Sequence, residues 1–158
     1  MNTHFLFSNL IAGAIVILTY LYYLPKLSLD DAWGNIKGTE RNLTIIYMII
    51  AALAFSYILY HYTVNKIEKP LLLYTSLVIF FIGSILWAPI LYNYFSNKTE
   101  INLILMYLTL CITTIGTLLL FIYIFKTKKN YGVKIAITLF LFHILFLDNL
   151  NYAIKFIV

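Results

Sequence analysis

The residues with the most chemical capacity stand near the carboxy-terminal end. Asp148 follows thirteen uncharged residues after Lys134, and Asn151, Tyr152 and Lys155 come three, four and seven positions later. On an α-helix those offsets share one face. His143 lies five positions before Asp148. On an α-helix that is about 140° around the axis, so the two are expected to face apart. A carboxylate with an amide and a phenol beside it can hydrogen-bond a polar head group or carry a proton. The other reading is that Asp148 ends an apolar stretch and the residues after it lie in a bilayer interface. Both stay open from the sequence. A second group is Trp87 with Pro89. The proline withdraws one backbone N–H and is expected to bend its helix, which makes a cavity wall or only a bend. The candidate ligand-binding residues are therefore Trp87, Pro89, His143, Asp148, Asn151 and Tyr152.

Known catalytic patterns do not emerge. There is no Ser/His/Asp set on neighbouring faces, no inward pair of carboxylates, no HExxH and no cysteine with a base. An enzyme is not expected, and neither is a resident metal or cofactor. The single cysteine, Cys111, allows no disulfide within the chain.

The elements that must position these residues follow from composition. Of 158 residues 63% are apolar and 11% charged, with a mean hydropathy of +0.91. Soluble domains carry about 45–50% apolar and about 25% charged residues. That excludes a soluble globule, a disordered tail and a disulfide scaffold. The net charge of +5 comes from bases flanking apolar runs. Nucleic-acid binders instead gather charge on one face, so no nucleic-acid partner is expected. The partner is a lipid bilayer.

Residues 5–24, 42–65, 70–97 and 101–125 carry no charge. About 20 apolar residues cross the hydrocarbon as a helix. A fifth run starts after Lys134 and contains Asp148. The expected architecture is all-α, a single integral membrane domain over residues 1–158. Its spans lie at about 5–24, 43–64, 71–95, 101–125 and 133–154, with the longest loop at 25–42. In that loop Asp30 or Asp31 is expected to cap a short helix, and Gly34 and Gly38 to make the rest turn-like. Gly83-Ser84 and Gly116-Thr117 should let two helices approach closely. Tyr and Phe near span ends form an interfacial belt. Five spans put the termini on opposite sides. The bases around residues 126–134 tilt the balance towards a cytoplasmic amino terminus.

Two stretches are similar to a known family. Trp87-Ala-Pro-Ile-Leu-Tyr92 looks like the Trp-x-Pro-Leu/Ile-Phe-Phe of the third span of the translocator protein family, which includes the tryptophan-rich sensory proteins. Leu150-Asn-Tyr-Ala-Ile-Lys155 resembles that family's carboxy-terminal Leu-Asn-Tyr-x-Val-x-Arg. Span number, chain length and the long first loop match as well. The chain departs from the family in having only Trp33 and Trp87, Ser84 where an Asn is usual, and Asp148 where a small residue is usual. The resemblance implies a five-helix bundle, commonly a homo-oligomer, whose cavity binds porphyrins and sterol-like amphiphiles, with Trp87, Asn151 and Tyr152 lining or adjoining it. The functional expectation is thus binding of a hydrophobic or amphiphilic molecule, sterol- or tetrapyrrole-like, in a helix-bundle cavity. Two alternatives are an oligomeric ion or proton channel or small transporter using Asp148 and His143, and an accessory subunit of a larger membrane complex.

Overall fold

Hydrocarbon offers no partner to a backbone amide, so apolar runs of this length satisfy their amides as helices. A computed structural model describes residues 3–33, 36–65, 71–127 and 130–152, without the side chains of Thr127, Asn151 and Tyr152. Helix α1 (Thr3–Tyr23) ends in a single 3-10 turn at Leu24–Lys26. A four-residue helix α2 (Leu29–Ala32) follows, then α3 (Gly38–Val64), α4 (Leu71–Ser96), α5 (Glu100–Thr127) and α6 (Tyr131–Phe142). α6 continues as a π-helix over His143–Tyr152. Five of these helical stretches are long and apolar enough to cross a membrane, the fifth being Tyr131–Leu150. The molecule is an all-α integral membrane bundle.

The boundaries differ from expectation mainly around the first loop. The cap of α2 is Ser28, not Asp30 or Asp31: its Oγ accepts from the Asp31 amide at 3.1 Å and donates to the Asp31 carboxylate at 2.6 Å. Serine can take the N-cap position and leave an acid at the third helical residue, where it also faces the helix dipole. Gly38 does not extend the loop. It opens α3 with φ +56°, a left-handed conformation that only glycine adopts cheaply.

The five long helices form a ring in the order α1, α4, α5, α6 with its π extension, and α3, which returns to α1. The interior is filled at mid-depth by phenylalanines. Phe55 stacks on Phe140 at 4.8 Å and meets Phe80 at 5.0 Å, and Phe80 meets Phe140 at 5.3 Å.

The most extensive pairing is α4 with α5, and small residues make it close. A Cβ on Gly83 would lie 2.7 Å from the Thr113 nitrogen and 2.9 Å from the Thr109 carbonyl oxygen. One on Gly116 would lie 2.8 Å from Phe80 Cα and 2.9 Å from the Ser76 carbonyl oxygen. Each glycine therefore admits the backbone of the other helix, as its position in the sequence implies. The hydroxyls along the seam turn back on their own helices. Ser84 donates to the Phe80 carbonyl, Thr113 to that of Thr109 and Thr117 to that of Thr113, each at 2.9 Å. No hydroxyl there needs water.

The first loop packs onto one end of this pair, which defines the loop side of the bundle. Ile36 is fully buried with Leu91 and Met106, and Trp33 and Trp87 flank them. Asp30 holds the loop from outside: Lys37 Nζ lies 2.9 Å from one carboxylate oxygen and an Arg41 guanidinium nitrogen 3.2 Å from the other. Arg41 also donates through Nε to the Ile36 carbonyl at 2.9 Å. The hydrogen bond from Lys37, helped by the Arg41 charge, holds the Asp30 carboxyl below its ordinary value.

Candidate functional site

The chemical residues collect in two places. The first is the π-helix. There a backbone amide bonds five residues back and the turn is wider, which brings residues five apart onto roughly one face. His143 and Asp148 are five apart, and His143 Nε2 lies 3.5 Å from Asp148 Oδ1. This corrects the expectation that the two face apart, which held only for α-helical spacing. The shared face expected of Asp148, Asn151, Tyr152 and Lys155 falls outside the described residues beyond Asp148. The side chains of Asn151 and Tyr152 lie outside the described residues, as does Lys155.

The pair is unequally exposed. The His143 side chain is 9% exposed and that of Asp148 37%. His143 Nδ1 is buried with no hydrogen-bond partner among the described residues. The next residue anchors the segment. Asn149 donates to the Thr114 hydroxyl of α5 at 2.7 Å and to the Ile144 carbonyl at 2.6 Å. From α1, Tyr20 comes within electrostatic range of Asp148 and packs its ring on Trp87 at 5.4 Å. Trp87, Tyr20, His143 and Asp148 thus belong to one neighbourhood in the loop-side half of the bundle. Asp148 lies two residues before the end of the fifth apolar stretch, with His143 beside it.

Pro89 is half-buried, and α4 runs through it as helix from Leu71 to Ser96. What the proline removes is the N–H that would bond the Ile85 carbonyl.

The second place is a groove of about 250 Å³ between α1 and α4. Ser8, Asn9 and Ala12 form one wall, and Tyr74, Leu77, Phe81 and Ile85 contribute to the other. Its lip is exposed, with Val78 at 55% and Ile82 at 46%. The groove is therefore open to the lipid side. Asn9 is its buried polar residue, and its amide donates to the Phe5 carbonyl at 2.6 Å.

Sequence reasoning missed Tyr20, Thr114, Asn149 and the groove. Asn9 carried a usable signal, being an amide inside an otherwise apolar run. Tyr20 carried none, since tyrosines recur at every span end. Among the described residues no group of three or more His, Cys, Asp or Glu side chains could hold a metal. No family model, curated protein or solved structure matches the chain.

Proposed function

We propose that this integral membrane protein binds a hydrocarbon-chain amphiphile drawn from the surrounding bilayer, and that the groove between α1 and α4 is where the chain lies. The observation that carries the reading is the groove itself: about 250 Å³, apolar, open sideways, with Asn9 as its buried polar group. Ligand pockets for whole compact molecules measure about 300–1,000 Å³. A single acyl or prenyl chain fits the space better than an entire tetrapyrrole, and a sterol would have to leave part of its body in lipid. Phenylalanines occupy the middle of the bundle, so the flank is the favoured approach. The reading rests on this groove and not on the resemblance to the translocator protein family. The basic residues Lys126 and Lys134, at the turn between α5 and α6, favour an amino terminus on the cytoplasmic side.

The test is photolabelling in nanodiscs with a diazirine fatty acid and a diazirine sterol. Labelling by the fatty acid should saturate, map to α1 and α4, and fall to background in Ala12→Phe, which fills the groove. Non-saturable labelling, or saturable labelling that Ala12→Phe leaves unchanged, would reject the reading.

A further inference from the structure

We propose that His143 and Asp148 form a single proton-binding unit inside the membrane, created by the π-helix and independent of the α1–α4 groove. Three observations carry it. The two groups face each other at 3.5 Å across one π turn. That is outside the 2.7–3.2 Å of an ordinary N–H···O bond, so there is room for the pair to close when it takes up a proton. The imidazole is nine-tenths buried, and its Nδ1 has no partner among the described residues. The Asp148 side chain is about one-third exposed, so the open edge of the unit is on Asp148.

The proton accounting is simple. Nδ1 keeps its hydrogen throughout, and one further proton is shared: either the imidazolium Nε2–H faces the carboxylate, or the acid O–H faces the bare Nε2 of a neutral imidazole. Moving between these forms shifts one proton along the Nε2–Oδ1 line and makes no net charge. Taking up or losing a proton does change the charge, and that exchange runs through the exposed edge of Asp148. In an α-helix the same residues would stand about 140° apart and could not share a proton. π segments recur at functional sites, and an ionisable group at membrane depth is a functional candidate by default.

Among the described residues the surroundings contain few competitors, and Lys155 lies outside them. From α1, Tyr20 is the titratable group within range of Asp148. α5 presents the Thr114 hydroxyl, through Asn149, and has no charged residue from Ile101 to Phe125. α4 has none from Leu71 to Asn97. α3 has none from Leu43 to Tyr60 and packs Tyr47 on Phe142 at 6.1 Å, and the bases and acid at its start include Arg41, bound to Asp30. In α6, Lys134 stands two turns and more from His143, at the opposite end.

The experiment is a pH titration of the carboxylic-acid C=O stretch by infrared spectroscopy, on full-length protein in nanodiscs. Wild type minus Asp148→Asn should isolate one protonation step. His143→Gln, nearly isosteric, should move the midpoint of that step by about one pH unit or more, the mark of two coupled sites. Tyr20→Phe should move it less. Helicity by circular dichroism establishes that each variant is folded. A difference spectrum with no titrating step overturns the proposal, and so does a step whose midpoint is the same in wild type and His143→Gln. Lipid-probe labelling plays no part in this readout, so the unit and the groove stand or fall separately.

Discussion

Helix α4 has two partners, and it meets them in opposite ways. Against α5 it is closed: glycines on both helices admit backbone, and seam hydroxyls bond within their own helix. Against α1 it leaves a groove of about 250 Å³. Of the most apolar stretch of each helix, 44% is buried in α4 and in α5, but 11% in α1. All three are strongly apolar, with mean hydropathies of 1.9, 2.2 and 2.3 for α1, α4 and α5, a spread too small to account for a fourfold difference in burial. In lipid the hydrophobic effect does not drive helices together, and association follows backbone approach and polar bonds. Where small residues oppose each other the pair zips. Where Tyr74 and Phe81 meet Asn9 and Ala12, it stays apart.

The largest expected effect comes from breaking the closed pair. Gly116→Ala puts a methyl 2.8 Å from Phe80 Cα, and backbone cannot move aside as a flexible side chain can. Overpacking costs typically about 1–3 kcal/mol and occasionally more. We expect the upper end of that range, read as a drop in thermal midpoint in detergent, with Gly83→Ala close behind. A Gly116→Ala protein as stable as wild type would show that the seam is not backbone-limited.

Next is the other side of α5, where one polar bond joins it to the π segment. Thr114→Val keeps the shape and removes the acceptor for Asn149. Interhelical bonds in membranes average about 0.6 kcal/mol and reach about 1.7. A loss in that range is expected, along with faster hydrogen exchange over residues 143–150. Equal exchange in both proteins would mean that the Asn149–Thr114 bond does not hold the segment.

The open pair should respond with the opposite sign. A Cβ on Gly13 of α1 meets nothing within 4 Å. Gly13→Ala should therefore stabilise by about 0.5–1 kcal/mol through the lower chain entropy of alanine in a helix. Set beside Gly116→Ala, it tests directly whether glycine in this chain matters by contact or merely by type. Destabilisation by Gly13→Ala would point to a closed surface there, such as a contact with another chain.

How far the sequence could be read follows the same division. The spans were legible because charge-free runs of this length have one solution in hydrocarbon. The Gly83 and Gly116 seam was legible because small residues at mid-span have little other use. The pairing of His143 with Asp148 was not, since it depends on a change of helical period that nothing in the order of residues 143–152 announces. Trp87 was singled out from its neighbours in sequence, but its ring partner Tyr20 comes from another helix. The groove is a space left between two helices, and no single stretch of residues encodes it. The Ser28 cap is not separable in the sequence from Asp30 and Asp31, because all three are residue types that favour a helix start.

The smallest effect concerns the loop that covers one end of the closed pair. Asp30 titrates below its ordinary value of 3.8 because Lys37, and after it Arg41, bond its ionised form. A depressed folded-state value means that the carboxylate adds stability at any pH above the unfolded value. That contribution is lost only as pH falls below 3.8 and through the folded value. The pairs are half exposed, so screening by salt keeps them weak. Trp33, which Arg41 faces at 5.8 Å, reports on the loop. In a Trp87→Phe background, Trp33 fluorescence should stay flat from neutral pH down to about pH 4 and change only below it. Asp30→Asn should give the acid-form signal already at neutral pH, while leaving the thermal midpoint close to wild type, because Ile36 stays buried between Leu91 and Met106 whether or not the carboxylate is charged. A transition well above pH 4 would mean that a group other than Asp30 holds the loop.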